Sequence, residues 1–184
     1  MIYSCDMAAA RDVLWDKPET EYLDGRAFPK VSPRRTHGLV QLAASIALMR
    51  CAGSRGQVAT EWEFDIGGAD GTFTRLVPDV AYVSMERLRA LPPEQREIPP
   101  FAPDIAIEVR SPSFHEALLR DKVRKYLGTG AILVLDIDPA TRGVTAYTAH
   151  GRSTTYADSL FRSEAVPWLE FPAGELFAAL DALD

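Results

Sequence analysis

Cysteine and histidine are scarce in this chain of 184 residues, which contains two cysteines and three histidines. Cys5 and Cys51 are too few for a disulfide framework, and we expect idle thiols in a reducing compartment. His37, His115 and His150 lie far apart in the sequence, and no CxxC pair accompanies them. The chain therefore lacks the ligand spacing of a structural zinc site.

Long apolar runs are also missing. No uninterrupted stretch approaches the roughly 20 apolar residues that a membrane-spanning helix requires. Asp6, Arg11 and Asp12 interrupt the region in which a signal peptide would carry its apolar segment. The sequence therefore predicts a soluble, cytoplasmic protein that does not associate with a membrane.

Positive charge is in deficit, because 20 lysines and arginines face 26 acidic residues and leave a formal net charge of −6. This balance argues against a protein that coats nucleic acid by charge alone. It does not exclude a nuclease, because bound metal partly cancels the carboxylates of such an enzyme. The length and the 47% share of hydrophobic residues predict a single domain over 1–184, with 1–30 as a peripheral N-terminal segment.

The spacing of apolar residues predicts an α/β fold, in which a mixed sheet carries helices on both faces. Two long helices are expected, at 36–51 with Thr36 as its cap and at 113–128 with a capping box from Ser113 to Glu116. A short helix is expected near 174–180. Strands are predicted, in chain order, at 57–66, 72–84, 103–110, 131–137, 143–149 and 153–156. The glycine-rich residues 67–71 join the first two strands, and the last two form an extra C-terminal hairpin.

Three acidic residues near the ends of predicted strands are candidate metal ligands: Asp79, Asp104 and Glu108. Asp104 and Glu108 are four residues apart on one strand, which separates them by roughly 13 Å. Ligands of one Mg²⁺ lie only about 3–4 Å apart, so these two cannot bind the same ion directly. Neighbouring strands are about 4.8 Å apart, so Asp79 can approach Glu108. We predict Asp79 and Glu108 as the pair, and Asp104 as a turn or capping residue.

Lys122 is the candidate lysine of this site, because its helical neighbours Leu119 and Tyr126 place it beside the apolar face of the helix. Phosphodiester hydrolysis needs an activated water and neutralised phosphoryl oxygens, which Mg²⁺ on Asp79, Glu108 and a backbone carbonyl could provide. Lys122 would orient the water or stabilise developing negative charge. An ordinary strand glutamate and a solvated helix lysine are the alternatives that the residues alone leave open.

Several short segments follow one another along the chain in a characteristic order: 21–26 (EYLDGR), Ser32-Pro33 with His37, 78–83 (PDVAYV), 103–113 (PDIAIEVRSPS), Asp121-Lys122 with Tyr126 and Gly130, and a tail from Asp158 through Trp168 to Phe177. Together they resemble the Uma family of putative restriction endonucleases, which belongs to the PD-(D/E)XK nuclease superfamily. The resemblance covers about 19–180. It implies a restriction-endonuclease-like core, with a mixed β-sheet flanked by helices, and a Mg²⁺ site at which Mn²⁺ could substitute.

The resemblance also implies roles for individual residues. Asp79 matches the motif aspartate, Glu108 the (D/E) position, and Lys122 a catalytic lysine relocated to the following helix. Arg110 stands where the simple motif has lysine, and arginine cannot act as a base. The implied metal ligands are Asp79, Glu108 and the backbone carbonyl of Val109. Accessory candidates are Glu61, His37, Arg110 and Tyr126, with a surface strand glutamate and a capping or packing histidine as alternatives for the first two.

The sequence therefore predicts a Mg²⁺-dependent DNA endonuclease that hydrolyses phosphodiester bonds. A homodimer is expected, because two-strand cutting favours one and because two copies could assemble a basic cleft. Two alternatives keep the same fold. One is a catalytically silent domain that binds nucleic acid or protein, and the other is an accessory subunit of a defence or mobile-element system.

Overall fold

The computed structural model describes residues 20–30, 33–67, 72–111 and 115–183. The helices in these ranges are α1 (Arg35–Ala52), α2 (Met85–Ala90) and α3 (Glu116–Gly128), with short 3₁₀ helices at Pro93–Gln95, Ala173–Leu176 and Ala178–Leu183. The strands are β1 (Thr20–Leu23), β2 (Arg26–Pro29), β3 (Gly56–Thr60), β4 (Phe64–Asp65), β5 (Arg75–Leu76), β6 (Val80–Ser84), β7 (Ile105–Val109), β8 (Leu133–Asp138), β9 (Gly143–Thr148), β10 (Gly151–Tyr156), β11 (Leu160–Arg162) and β12 (Glu170–Pro172).

A six-stranded mixed sheet forms the centre of the fold, in the order β10-β9-β8-β7-β6-β3. β7 and β8 are parallel, whereas the other neighbours in this sheet are antiparallel. Parallel strands need a long crossover, and α3 supplies it between β7 and β8. β8 is buried along almost its whole length, as its continuous apolar sequence predicts.

The two faces of β7 pack against different helices. Ile105, Ile107 and Val109 belong to a core cluster with α1 and the C-terminal segment, whereas Ala106 belongs to a second cluster with α3. This alternation places Glu108 on the α3 face of the sheet. The predicted architecture, a mixed sheet flanked by helices with a trailing β9–β10 hairpin, is confirmed.

A second sheet contains four strands, in the order β2-β1-β5-β4. The β1–β2 hairpin turns at Asp24 and Gly25, which both have positive φ. Leu23 is buried in the α3-side core cluster, and Tyr22 pairs with Arg75 of β5. Residues 20–30, assigned to the periphery from the sequence, are therefore integrated into the fold.

The predicted strand at 57–66 is wrong as a single element. β3 belongs to the six-stranded sheet and β4 to the four-stranded sheet, and the chain turns between them at Glu61, where φ is 52°. The predicted strand at 72–84 is divided in the same way, into β5 and β6. Both breaks matter for the site, because they bring Glu61 and Asp79 to the junction of the two sheets. The predicted turn at 67–71 falls largely outside the described residues.

Helix boundaries differ from the predictions in detail. α1 begins at Arg35 after Arg34, and no side-chain hydrogen bond caps it within the described ranges, so the predicted Thr36 cap is wrong. The described part of α3 begins at Glu116, and Ser113 of the predicted capping box lies outside it. The helix predicted near 174–180 consists of 3₁₀ turns. No helix among the described residues is long and apolar enough to cross a membrane.

Candidate active site

Asp79 and Glu108 face each other across neighbouring strands. β6 and β7 are antiparallel, with Val80 opposite Ile107, so the next position of this register sets Asp79 opposite Glu108. Directly opposed residues of an antiparallel pair project from the same face of a sheet. Asp79 and Glu108 are therefore neighbours at the end of β7, close enough for the charge of Asp79 to contribute to the raised pKa of Glu108.

Asp104 lies at the other end of β7 and has a structural role. Its Oδ2 accepts a hydrogen bond of 2.7 Å from the Ser84 amide, and its Oδ1 one of 2.9 Å from Arg87 Nη1. These contacts hold the first turn of α2. The sequence predicts Asp104 as a turn or capping residue apart from Glu108, and its contacts serve the turn into α2, whose cap is Ser84.

Asp79 is buried among hydrogen-bond donors. Its Oδ2 accepts from the Val109 amide at 2.7 Å, and its Oδ1 lies 3.3 Å from Lys30 Nζ and 3.4 Å from His37 Nε2. Burial by itself would raise the pKa of this carboxyl, but His37, Lys30 and the Val109 amide outweigh burial and lower the pKa to about 2. Asp79 is thus a carboxylate at neutral pH. Val109 contributes its amide here, and the role of its carbonyl as a metal ligand stays a prediction.

Lys122 points from α3 into the sheet, with its side chain only 7% exposed. Its Nζ lies 2.6 Å from Glu108 Oε1 and 2.9 Å from Glu21 Oε1. Tyr126, one helical turn later, donates its hydroxyl to Glu108 Oε1 at 3.1 Å. The alternative of a solvated helix lysine is therefore wrong, and Tyr126 does reach the cluster.

The pKa values of this group reflect competing charges. Burial would lower the pKa of Lys122, but the carboxylates of Glu108 and Glu21 outweigh it and raise the pKa above its usual value. Burial raises the pKa of Glu108 to about 7, with further contributions from Glu21 and Asp79, while Lys122 opposes the shift. The two carboxylates therefore favour the protonated form of Lys122, and burial favours the protonated form of Glu108.

A second ion-pair group adjoins Asp79. Lys30 Nζ lies 2.5 Å from Glu61 Oε2 and donates to the Val77 carbonyl at 2.8 Å. Gln41 of α1 donates to Glu61 Oε1 at 2.7 Å and to the Asp79 carbonyl at 2.8 Å. Glu61 is therefore part of the site and not an isolated surface residue.

His37 packs into the same region from the first turn of α1. The hydrogen bond to Asp79 raises the pKa of His37 above its ordinary value, against the effect of burial. Its other nitrogen, Nδ1, is buried and has no hydrogen-bond partner among the described residues. His37 thus contacts Asp79, and its role as an accessory residue stays a prediction.

Arg110 lies on the same face of β7 as Glu108, but its guanidinium group is engaged elsewhere. Nε donates to Asp136 Oδ1 at 2.9 Å, and Nη2 to Asp136 Oδ2 at 2.6 Å. Nη1 also approaches Asp138, at 3.6 Å. These contacts place the guanidinium group at the acids of β8, and the accessory role of Arg110 stays a prediction.

The sequence prediction missed Glu21, Lys30 and Gln41. Glu21 is buried, accepts from the Val77 amide at 2.8 Å and binds Lys122, which is 101 residues away in the chain. Glu21 and Leu23 are the two buried positions of β1, so an acid shares the inward face of a short strand. That pattern was available in the sequence. Lys30 and Gln41 carry no comparable signal, because only the packing of β2 and α1 brings them to the site.

The ligand atoms suit a hard divalent cation, although they face lysines in this arrangement. Asp79, Glu108, Glu61 and the Val77 carbonyl offer oxygen donors, which Mg²⁺ and Mn²⁺ prefer. Among the residues that the structure describes, no three His, Cys, Asp or Glu side chains converge as metal ligands. Mg²⁺ does not require such a cage, because it commonly uses one or two carboxylates together with water and substrate phosphates. The donor chemistry therefore fits this type of ion.

A mixed sheet with helices on both faces is the fold of restriction-endonuclease-like nucleases. A similar solved structure is described as the crystal structure of a putative nuclease belonging to DUF820 from Anabaena variabilis ATCC 29413. The TM-score is 0.74 at 22% sequence identity, over 92% of this chain and 97% of that chain. The model of the Uma2 family, described as "Putative restriction endonuclease", matches residues 12–176. The chain belongs to this nuclease family. No curated protein matches the sequence.

Proposed function

We propose that this protein is a divalent-metal-dependent DNA endonuclease whose site consists of Asp79, Glu108 and Lys122. The observation that carries the proposal is the neighbouring position of Asp79 and Glu108 at the ends of adjacent strands, with a buried lysine 2.6 Å from Glu108. Phosphodiester hydrolysis needs this combination of metal-binding oxygens and a fixed positive charge. A surface ion pair would not require the burial of Asp79 and Lys122.

Each residue has a distinct task in this proposal. Asp79 and Glu108 would hold Mg²⁺, or Mn²⁺ in its place, and the bound ion would supply Lewis-acid stabilisation of the phosphodiester oxygens. Lys122 is held protonated by its two carboxylate partners, so it would donate hydrogen bonds and not accept a proton. Its task would be to orient the attacking water or to stabilise the developing negative charge. Tyr126 would fix the orientation of Glu108 through its hydroxyl.

DNA is the proposed substrate, and a homodimer is the proposed active form. Arg34 and Arg35 are exposed at the start of α1, three and two residues before His37, and could contact phosphates beside the site. The net charge of −6 works against binding by one copy alone. Two copies could combine such local basic groups and would place two sites on the two strands of a duplex.

The test is cleavage by the purified protein of supercoiled plasmid, linear duplex, single-stranded DNA and RNA, with Mg²⁺, with Mn²⁺ or with EDTA. We expect metal-dependent DNA cleavage that falls by about 100-fold or more in Asp79→Asn, Glu108→Gln or Lys122→Met, as is typical when a transition-state contact is lost. Asp104→Asn is the matched control, because Asp104 is an equally buried aspartate at the opposite end of β7. Its rate per folded molecule should remain near that of the wild type.

A wild-type protein that cuts none of these substrates with either ion would refute the proposal. Fluorescence anisotropy with the same oligonucleotides would then show whether the fold serves as a silent nucleic-acid-binding domain. A control variant that loses activity as completely as Asp79→Asn would also count against the site, because general loss of structure would then explain both results.

A further inference from the structure

Three oxygen atoms surround Lys30 Nζ, and the same three atoms could bind a metal cation. Glu61 Oε2 lies at 2.5 Å, the Val77 carbonyl oxygen at 2.8 Å and Asp79 Oδ1 at 3.3 Å. Two carboxylates and one backbone carbonyl are a typical oxygen donor set for a divalent cation. Asp79 is also a ligand of the metal ion that we propose. The ammonium group of Lys30 and that ion would therefore share an Asp79 oxygen.

The oxygen atoms of this group are held in place independently of Lys30. Gln41 bridges Glu61 Oε1 and the Asp79 carbonyl, and the Glu61 amide donates to the same carbonyl at 3.3 Å. The Val109 amide fixes the other oxygen of Asp79 at 2.7 Å. The oxygen positions are therefore built by the sheet junction and by α1, and they would persist if the ammonium group left.

Lys30 is the movable member of the group. It follows β2, which pairs only with β1 at the edge of the four-stranded sheet, and its ammonium is carried on a flexible four-carbon stem. Lys122 differs in this respect, because it projects from the middle of α3 and is bonded to Glu21 and Glu108. The two lysines of the site therefore have different freedom to move.

We infer that Lys30 is a built-in competitor for the metal, whose ammonium group holds the Asp79 and Glu61 oxygens in the metal-free protein and must withdraw when a divalent cation binds there. The inference rests on the proposed function, because it assumes a metal at Asp79. Two cations that share Asp79 Oδ1 at contact distance repel strongly at a buried position. The apparent affinity for the metal is thus lowered, because only molecules in which Lys30 has left the oxygen atoms can bind the ion.

Direct binding of Mn²⁺ tests this inference without any measurement of cleavage. Free Mn²⁺ is quantified by electron paramagnetic resonance in titrations of the wild type, Lys30→Met and Lys125→Met. Lys125 is the matched control, since its side chain is 17% exposed against 19% for Lys30 and its ammonium lies 2.6 Å from Asp24. We expect Lys30→Met to bind Mn²⁺ about tenfold more tightly, because it removes the competitor. Lys125→Met should match the wild type.

A measurement on the wild type covers the case in which Lys30→Met does not fold. Lysine acetylation by a small acylating reagent is mapped by mass spectrometry with and without Mn²⁺. Lys30 should become several-fold more reactive when Mn²⁺ is present, because its ammonium group has withdrawn, while Lys125 should not change. Equal reactivity of Lys30 in both conditions would overturn the inference.

The outcomes separate this inference from the proposed function. If the wild type binds Mn²⁺ and Lys30→Met binds it no more tightly, Lys30 is not a competitor, and the proposed metal site survives. If the wild type and Lys30→Met both fail to bind Mn²⁺, the metal site and this inference fail together. Tighter binding by Lys30→Met that disappears in Lys30→Met/Asp79→Asn would support the inference and locate the ion at Asp79.

Discussion

The replacement Lys122→Met removes the one ammonium group that directly bridges Glu108 and Glu21. The side chains of these residues are 7%, 13% and 8% exposed, so water can replace little of the lost contact. Breaking a buried ion pair by removal of one partner costs about 3–5 kcal/mol, because the other charge is left uncompensated. We therefore expect the free energy of unfolding of the metal-free protein to fall by about 3–5 kcal/mol at pH 8.

Urea unfolding followed by tryptophan fluorescence measures this loss. The control is Lys125→Met, because Lys125 pairs with Asp24, whose side chain is 58% exposed. Exposed pairs contribute about 0–1 kcal/mol, so the control should lose no more than that. A loss below about 1 kcal/mol in Lys122→Met would refute the interpretation of the lysine as the counter-charge of a buried cluster.

A double-mutant cycle shows whether the loss arises at Glu108. In Glu108→Gln/Lys122→Met, the Glu108→Gln replacement removes a carboxylate that has already lost its lysine partner. The double variant should therefore be destabilised by clearly less than the sum of the two single variants, since the two residues are in direct contact. Additive losses would place the energy of Lys122 in contacts other than Glu108.

Two further predictions concern pH and packing. Because the folded protein raises the pKa of Glu108 from 4.5 to about 7, it holds that proton more firmly than the unfolded chain. The resulting stabilisation is present below pH 4.5 and is lost as the pH rises to about 7. The free energy of unfolding of the metal-free protein should therefore fall across this window by an amount on the order of 3 kcal/mol. Urea unfolding of Glu108→Gln should not show this pH dependence. Gly56→Ala should lower the melting temperature in calorimetry, because the added methyl group would lie 2.2 Å from the Val83 carbonyl oxygen. Gly38→Ala, with open space in the helix α1, should stabilise by about 0.5–1 kcal/mol, and an equal effect of both replacements would contradict the packing argument.

The central pair of the site could be predicted because it depends on short-range geometry. The distance between adjacent strands and the alternation of side chains suffice to bring Asp79 to Glu108 and to remove Asp104. Helical spacing likewise sets Lys122 beside the apolar face of its helix. These inferences need only the order of neighbouring elements, which the apolar pattern indicates.

The second sheet could not be predicted for a physical reason. Alternation in Trp62, Phe64 and Ile66 continues the alternation of β3, although Phe64 and Ile66 are buried in the core cluster on the other side of the sheet from α1. A binary pattern reports which residues are buried, and it does not report against which partner. The sequence pattern therefore could not predict the break at Glu61. It also could not predict the packing of the β1–β2 hairpin, which brings Glu21 and Lys30 to the site.

The charges at the site explain why its members have such different pKa values. Four carboxylates, from Glu21, Glu61, Asp79 and Glu108, face the two ammonium groups of Lys30 and Lys122, so two negative charges are uncompensated when all six groups are ionised. Asp79 has donors on both oxygens and stays ionised, whereas burial, together with the nearby charges of Glu21 and Asp79, raises the pKa of Glu108. A divalent cation of the proposed kind carries the charge that would balance this excess. If it displaced Lys30, the freed ammonium group would be available to a phosphate beside the site, in addition to the exposed Arg34 and Arg35.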